Sequence, residues 1–202
     1  MTVHRRSSTC PRRLGKAVLN PPLLLDACVT INLVAADPVH QIARSTGFRC
    51  LITRQAATEV GHLRETTDGE TRVIPVDLAD HVQTGAFEII DLAPDEIPLF
   101  VELASLVDDG EASTIAVAIK RGIPLATDDR KARRLCAERG LALPTGTVTL
   151  IRRYCEALAL DHAYVSRLIQ RISSRASFQA PRGDPDLKWW NDHQPCASDG
   201  GL

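Results

Sequence analysis

Acidic residues recur in this chain where short aliphatic runs stop. Asp26 follows Leu23, Leu24 and Leu25, the pair Asp128 and Asp129 follows Pro124 to Thr127, and Glu111 opens a helical stretch after Asp108, Asp109 and Gly110. Glu59 sits inside an earlier helical pattern, and its direction is less determined. In an open parallel α/β sheet, the carboxyl ends of the strands and the first turns of the following helices border one crevice. Several carboxylates in a partly desolvated crevice cannot all stay ionised unless a cation or a proton intervenes. The donors are hard oxygens; no C-x-x-C pair exists and no two histidines are spaced as zinc ligands are, which favours Mg2+ or Mn2+ over Zn2+. Such an ion lowers the pKa of bound water, neutralises a phosphodiester oxygen and stabilises a leaving alkoxide, so the chemistry indicated is that of a nuclease. Each acid also has an ordinary reading. An Asp after a buried strand is a frequent turn or N-cap residue, a Glu in a first turn favours the helix macrodipole, and Glu59 can be a solvated helix residue. Joint placement, with acids recurring at one sheet edge in separate βα units, is what lifts them together.

The elements that must position these acids follow from the hydrophobic pattern. Short aliphatic runs alternate with helical periodicity, which argues for βα units and a mainly parallel sheet. Leu23 to Leu25 is continuously apolar, as a strand buried on both faces should be. A short helix through Ile31, Leu33 and Val34 follows, and Leu51 and Ile52 form a second strand. Thr53 to Leu63 reads as a helix with Ala56, Val60 and Leu63 inward, Arg64 to Glu70 as a polar loop, Phe87 to Leu92 as a strand, and Glu96 to Val107 as a helix. A further helix starts near Glu111, with Asp109 placed to cap it and Gly122 to end it. Pro124 to Ala126, after Ile123, is a short strand, Asp129 to Arg139 a helix burying Ala132, Leu135 and Cys136, and Leu141 to Leu143 a terminal strand candidate. Val148 to Leu160 and Asp161 to Ile172 read as two closing helices.

The 202 residues, 44% apolar, suit one compact domain with tails. Domain boundaries are expected at a flexible basic tail over residues 1–20, a folded body over 21–176 and an irregular tail over 177–202 that contains Trp189 and Trp190. Adjacent tryptophans in a polar tail pack back on their own domain more often than they grip a partner. The first nineteen residues hold five basic side chains and no acid, so the rest carries 19 basic against 25 acidic residues. That acidic body excludes a global electrostatic pull toward nucleic acid, and any polyanion must be met locally. No apolar run is long enough for a membrane span or a signal h-region, so no membrane partner and a cytoplasmic location are expected. The start has some transit-peptide character, but Pro11, Pro21 and Pro22 interrupt any amphipathic helix there. Six scattered cysteines read as reduced thiols.

The stretches LLLDACVTINL (23–33), ITRQAATEVGHL (52–63), DDGEASTIAVAIKRG (108–122) and PLATDDRKARRLCAERGL (124–141) resemble, in order and spacing, the PIN-domain nucleases, particularly the VapC-type toxins. The resemblance runs from about Leu23 to Gly146 and leaves both tails out. It implies a three-layer α/β/α fold around a mainly parallel sheet, with the helices after Val148 as additions. It also implies a Mg2+-dependent ribonuclease, often a homodimer and often paired with a cognate antitoxin of a type II system. Residue by residue, Asp26, Glu59, Glu111 and Asp129 match the family's acidic stations as catalytic residues. Asp26, Glu111 and Asp129 would hold metal, with Asp128 as an extra ligand, and Thr127 and Asn32 would support them.

An acidic body that meets RNA needs cations around its crevice. Arg130, Lys131, Arg133 and Arg134 follow the last acidic station and Arg54 opens the Glu59 helix, so these five are the candidate RNA contacts, against the reading of a solvated helix face. Aromatic residues make up only 4% of the chain, which argues against base stacking as the source of specificity. The competing function is a catalytically weak PIN-like module that binds RNA or protein without cutting. A phosphoacceptor receiver domain would need its acidic doublet early in the chain rather than late.

Overall fold

The computed structural model describes residues 20–67, 69–142 and 145–195. The expected basic tail over 1–20 therefore lies, but for Asn20, outside the described residues.

The three leucines of β1 (Pro22–Leu25) explain the architecture. Successive side chains of a strand point to opposite faces, and here Leu23 and Leu25 enter one apolar cluster while Leu24, fully buried, enters the other. The neighbouring β2 (Arg49–Thr53) does the same, with Cys50 and Ile52 on the first face and Leu51 on the second. A strand apolar on both faces needs cover on both. On one side this comes from α1 (Ala27–Ala36), α2 (Val39–Ser45), α8 (Thr147–Ala157) and α9 (His162–Arg175). On the other it comes from α5 (Ile97–Ala104), α6 (Asp109–Arg121) and α7 (Arg130–Glu138). The result is a three-layer α/β/α fold. Its sheet is parallel throughout, in the order β5-β2-β1-β6, with β5 at Glu88–Ile90 and β6 at Leu125–Ala126.

Departures from the sequence reading have local causes. The helix expected over 53–63 is α3 (Arg54–Glu59) only, capped by the Thr53 hydroxyl on Ala56 N–H. Leu63 is buried, as its spacing implied, but from a strand. The expected polar loop over 64–70 is instead an antiparallel hairpin of β3 (His62–Thr67) and β4 (Glu70–Pro75), separate from the main sheet. A short α4 (Ala79–Gln83) follows it. The α6 helix begins two residues earlier than expected because Asp108, not Asp109, is its N-cap, its Oδ1 accepting from Glu111 N–H at 2.8 Å. Gly122 ends α6 in the left-handed conformation at φ +63°, as expected. In place of a strand over 141–143, whose last residue lies outside the described residues, Thr145 forms a parallel bridge to Ala126. The tail from 177 is not irregular throughout. It carries α10 (Leu187–Asp192), and Trp190 is 0% exposed in the core, edge-to-face with Phe178 at 5.3 Å. Among the described residues no helix is long and apolar enough to cross a membrane, and Cys28, Cys50, Cys136 and Cys155 are free thiols.

Candidate functional site

Asp26 is the fixed point of the site. It leaves β1 as the N-cap of α1 and is 3% exposed. Oδ1 accepts from Ala27 N–H at 2.7 Å, and Oδ2 accepts from the Thr127 hydroxyl at 2.7 Å and the Cys28 thiol at 3.1 Å. Thr127 is itself buried at the end of β6, so two adjacent strand ends are tied through this carboxylate. Burial raises the Asp26 pKa, against the lowering effect of those donors, and the charge of Asp108 adds to the rise.

Glu111 completes the recess lined by Asp26 and Thr127. It occupies the first turn of α6, where Asp108 caps the helix beneath it. Its pKa is pushed up to about 8, first by desolvation and then by the charges of Asp108, Asp129, Asp26 and Glu59. Those causes define the acidic centre: four carboxylates from four separate stretches of chain act on Glu111. Asp129 reaches the centre as the N-cap of α7, its Oδ1 accepting from Lys131 N–H at 2.6 Å and Ala132 N–H at 2.8 Å.

Glu59 ends α3 and turns its Oε1 onto Gly110 N–H at 2.6 Å, at the start of α6. A buried hydroxyl relay sets this approach. Thr53 and Ser113 are 2.7 Å apart, and Ser113 and Thr114 both donate to Gly110 carbonyl oxygen. A Cβ at position 110 would lie 2.0 Å from Glu59 Oε2, so the close approach requires glycine. Desolvation is the main cause raising the Glu59 pKa, and Asp108, Asp26 and Asp109 add to it.

Asp128 does not join the centre. Its carboxylate turns to the other side, accepting from Thr147 N–H at 3.0 Å, the Thr147 hydroxyl at 2.5 Å and Asn32 Nδ2 at 3.3 Å. It thereby caps α8, whose N-cap position is Gly146 and supplies no side chain. Asn32, buried, belongs to this same cluster, donating also to Thr147 at 3.0 Å. The pair therefore anchors α1 to α8 instead of standing among the other acids.

The basic candidates divide similarly. Arg54 is paired with Asp91 by bonds of 2.5 and 3.0 Å, and Arg134 lies 3.8 Å from Glu138 on an exposed face. Arg133 donates to the Thr127 carbonyl at 2.9 Å, bracing the end of β6. Arg130 and Lys131 are exposed, and neither side chain has an ion pair or hydrogen bond among the described residues.

Asp108 and Cys28 are the members of the site that sequence reasoning missed. The spacing Asp108-x-x-Glu111 is that of a capping box and marks Asp108. Cys28, two residues beyond Asp26 at a helix start, has only proximity to betray it. Burial and the Asp26 charge push its thiol far above the ordinary range, so it acts as a hydrogen-bond donor and not as a nucleophile. A larger cavity of about 670 Å³ lies elsewhere, at the starts of β2 and β5, lined by Phe48, Arg49, Phe87 and Glu88 and by none of the five carboxylates of the centre. Among the described residues no three His, Cys, Asp or Glu side chains stand arranged around one point as metal ligands. Asp26, Glu59 and Asp129 are near enough to act on Glu111, but Glu59 is turned to Gly110 and Asp129 to the α7 backbone.

The sequence profile of the DUF3368 PIN domain matches residues 23–180. No curated protein matches the chain. A search of solved structures finds PAE2754 from Pyrobaculum aerophilum, with 16% identity and a TM-score of 0.41, over 74% of this chain and 99% of that one. The match to the profile spans every acidic residue of the centre, both helical layers and all four strands of the parallel sheet, and on it the chain belongs to the PIN-domain family, whose fold is of the nuclease type.

Proposed function

We propose that the protein is a divalent-metal-dependent endoribonuclease that hydrolyses RNA phosphodiester bonds. The observation that carries this reading is the meeting of Asp26 and Glu111 in one recess at the strand ends, with Asp108, Asp129 and Glu59 near enough to act on Glu111. Such clustering leaves an excess of negative charge that a cation relieves. The donor set fits Mg2+ or Mn2+: all oxygens, with the one thiol at the centre kept protonated. Asp26, Glu111 and Asp129 would hold the ion, with Glu59 and Asp108 completing the negative field. When bound, the ion would supply charge neutralisation at the scissile phosphate and acidify a water.

The chain's own residues do the rest. Thr127 and Cys28 fix both the orientation and the solvation of the Asp26 carboxylate. Glu111, lining the recess beside Asp26 and Thr127, presents its carboxylate where the ion and its water would sit. Glu59, exposed at a helix end, can swing from Gly110 toward the recess. The test is cleavage of mixed cellular RNA by the purified chain. It should be lost with EDTA, restored by Mg2+ or Mn2+, and lost in Asp26→Asn and Asp129→Asn while both variants melt cooperatively. Cleavage that survives chelation would overturn the metal role.

The resemblance to VapC-type proteins supports a finer reading as the toxin of a type II pair, cytoplasmic, homodimeric and held by a cognate antitoxin. A small open reading frame beside the coding sequence would support it. The engagement of Glu59 by Gly110 N–H and of Asp129 by the α7 backbone favours a second reading, a PIN-like binding module with weak or no turnover. Divalent-ion binding without cleavage of any RNA would select it.

A further inference from the structure

Two adjoining cavities lead away from the acidic centre along the segment that follows α9. The nearer, about 320 Å³, is lined by Cys28, Asn32 and Asp129 on one side and by Phe178 and Gln179 on the other. The farther, about 420 Å³, is lined by Arg130, Arg133, Arg182 and Asp184. Asp128 and Pro181 line both, so the two form one trough. Each is of a size that takes a small ligand or part of one.

The trough changes character along its length. At its inner end Cys28 bonds Asp26 at 3.1 Å, so it opens beside the carboxylates. At its outer end Arg130 and Arg182 are exposed and unpaired among the described residues, whereas the two acids there are already engaged. Asp128 accepts from Thr147, and Asp184 Oδ1 from Asp186 N–H at 2.8 Å. Arg133 is half-buried and braced on the Thr127 carbonyl. The wall is rigid: Phe178 lies edge-to-face on the fully buried Trp190. Ser177, at φ +55°, makes the left-handed bend after which Phe178 turns into the core and the exposed Gln179 faces out, both lining the trough; a non-glycine residue keeps that conformation only under surrounding constraint.

We infer that this trough is a subsite for single-stranded RNA, taking the nucleotide next to the scissile bond against Phe178 and Gln179 and its outer phosphate between Arg130 and Arg182. The inference rests on the nuclease reading for its register. An acidic centre repels the polyanion it must cut, and cations at the far end of the same trough offset that repulsion where the strand runs on. A base enters such a recess only when unstacked, which selects single strands. Arg182 lies beyond the residues matched by the family profile, so this contact is outside what family membership conveys.

The experiment uses the full chain carrying Asp26→Asn, which disables cleavage, and measures binding of a short labelled single-stranded RNA by anisotropy across a salt series. Adding Arg182→Gln or Arg130→Gln should weaken binding by about fivefold and reduce the salt slope by about 0.7 each. Arg49→Gln, at the separate cavity by the starts of β2 and β5, should change neither. Gln179→Ala should alter preference among homopolymers with the salt slope intact. Wild-type affinity and slope in both Arg182→Gln and Arg130→Gln, or equal binding of duplex RNA, would overturn the subsite. Turnover of bis(p-nitrophenyl) phosphate, which is too small to reach the arginines, should survive Arg182→Gln in the otherwise native chain. If no form of the chain hydrolyses that diester or RNA, the nuclease reading falls, while the binding series still judges the subsite.

Discussion

Replacing Glu111 by Gln should make the cation-free protein more stable, and only toward neutral and alkaline pH. In the folded chain the Glu111 pKa rises from 4.5 to about 8. A group whose folded pKa is raised contributes stability that is complete below its unfolded pKa and is lost as pH climbs through the folded value. The rise of about 3.5 pH units sets a ceiling of about 5 kcal/mol. Glu111 is partly exposed, so solvent screening and side-chain adjustment bring the realised loss to about 1 to 2 kcal/mol. In a domain of this size that is a difference of about 2 to 8 °C in melting temperature. Thermal melts in EDTA between pH 4.5 and 8.5 should show Glu111→Gln above the native chain at pH 8.5, with the gap closing as pH falls toward 4.5. Saturating Mg2+ or Mn2+ should reverse the order, since the ion needs the charge that Gln lacks. Parallel curves for the two proteins in EDTA would refute the idea that burial, with the four neighbouring carboxylates, raises the Glu111 pKa.

Three further outcomes follow from the geometry. Gly110→Ala should push the Glu59 carboxylate off the start of α6, because the added Cβ meets it at 2.0 Å. Glu59 is a flexible, exposed side chain, so urea titration should find less than about 1 kcal/mol of lost stability, while RNA cleavage falls. Asp128→Ala should lower stability by about 1 to 2 kcal/mol through loss of the α8 cap, measured by denaturant titration, and leave divalent-ion affinity near that of the native chain. Trp190→Ala should cost about 3 to 5 kcal/mol and show as a large fall in melting temperature, because the side chain is wholly enclosed by core residues.

The acids at strand ends were legible because β1 and β6 are short runs of one character that stop abruptly, and a parallel sheet dictates where their next residues emerge. What single side chains do at those ends was not. Asp128 and Asp129 are adjacent and chemically alike, yet one caps α8 and the other α7. Only the position of Thr147, nineteen residues on, decides that. Leu63 met the helical spacing of Ala56 and Val60 and was buried as expected, but the chain turns at Gly61 and delivers it from a strand. The hairpin was signalled by Asp68-Gly69 between threonines, a strong turn dipeptide that the surrounding polarity masked. The C-terminal tryptophans illustrate the reverse case. Pro181, Gly183 and Pro185 break regular structure around them, but apolar area as large as an indole pair is enough to bring the segment home.

The β3–β4 hairpin stands apart from the parallel sheet, and all of β4 is exposed, with Val73 at 60%. Six residues of extended chain reach about 20 Å. A dye, epitope or spin label grafted near Gly69 would thus ride at the exposed end of a ribbon moored to the core through Leu63, giving an external landmark from which distances to an incoming strand can be surveyed.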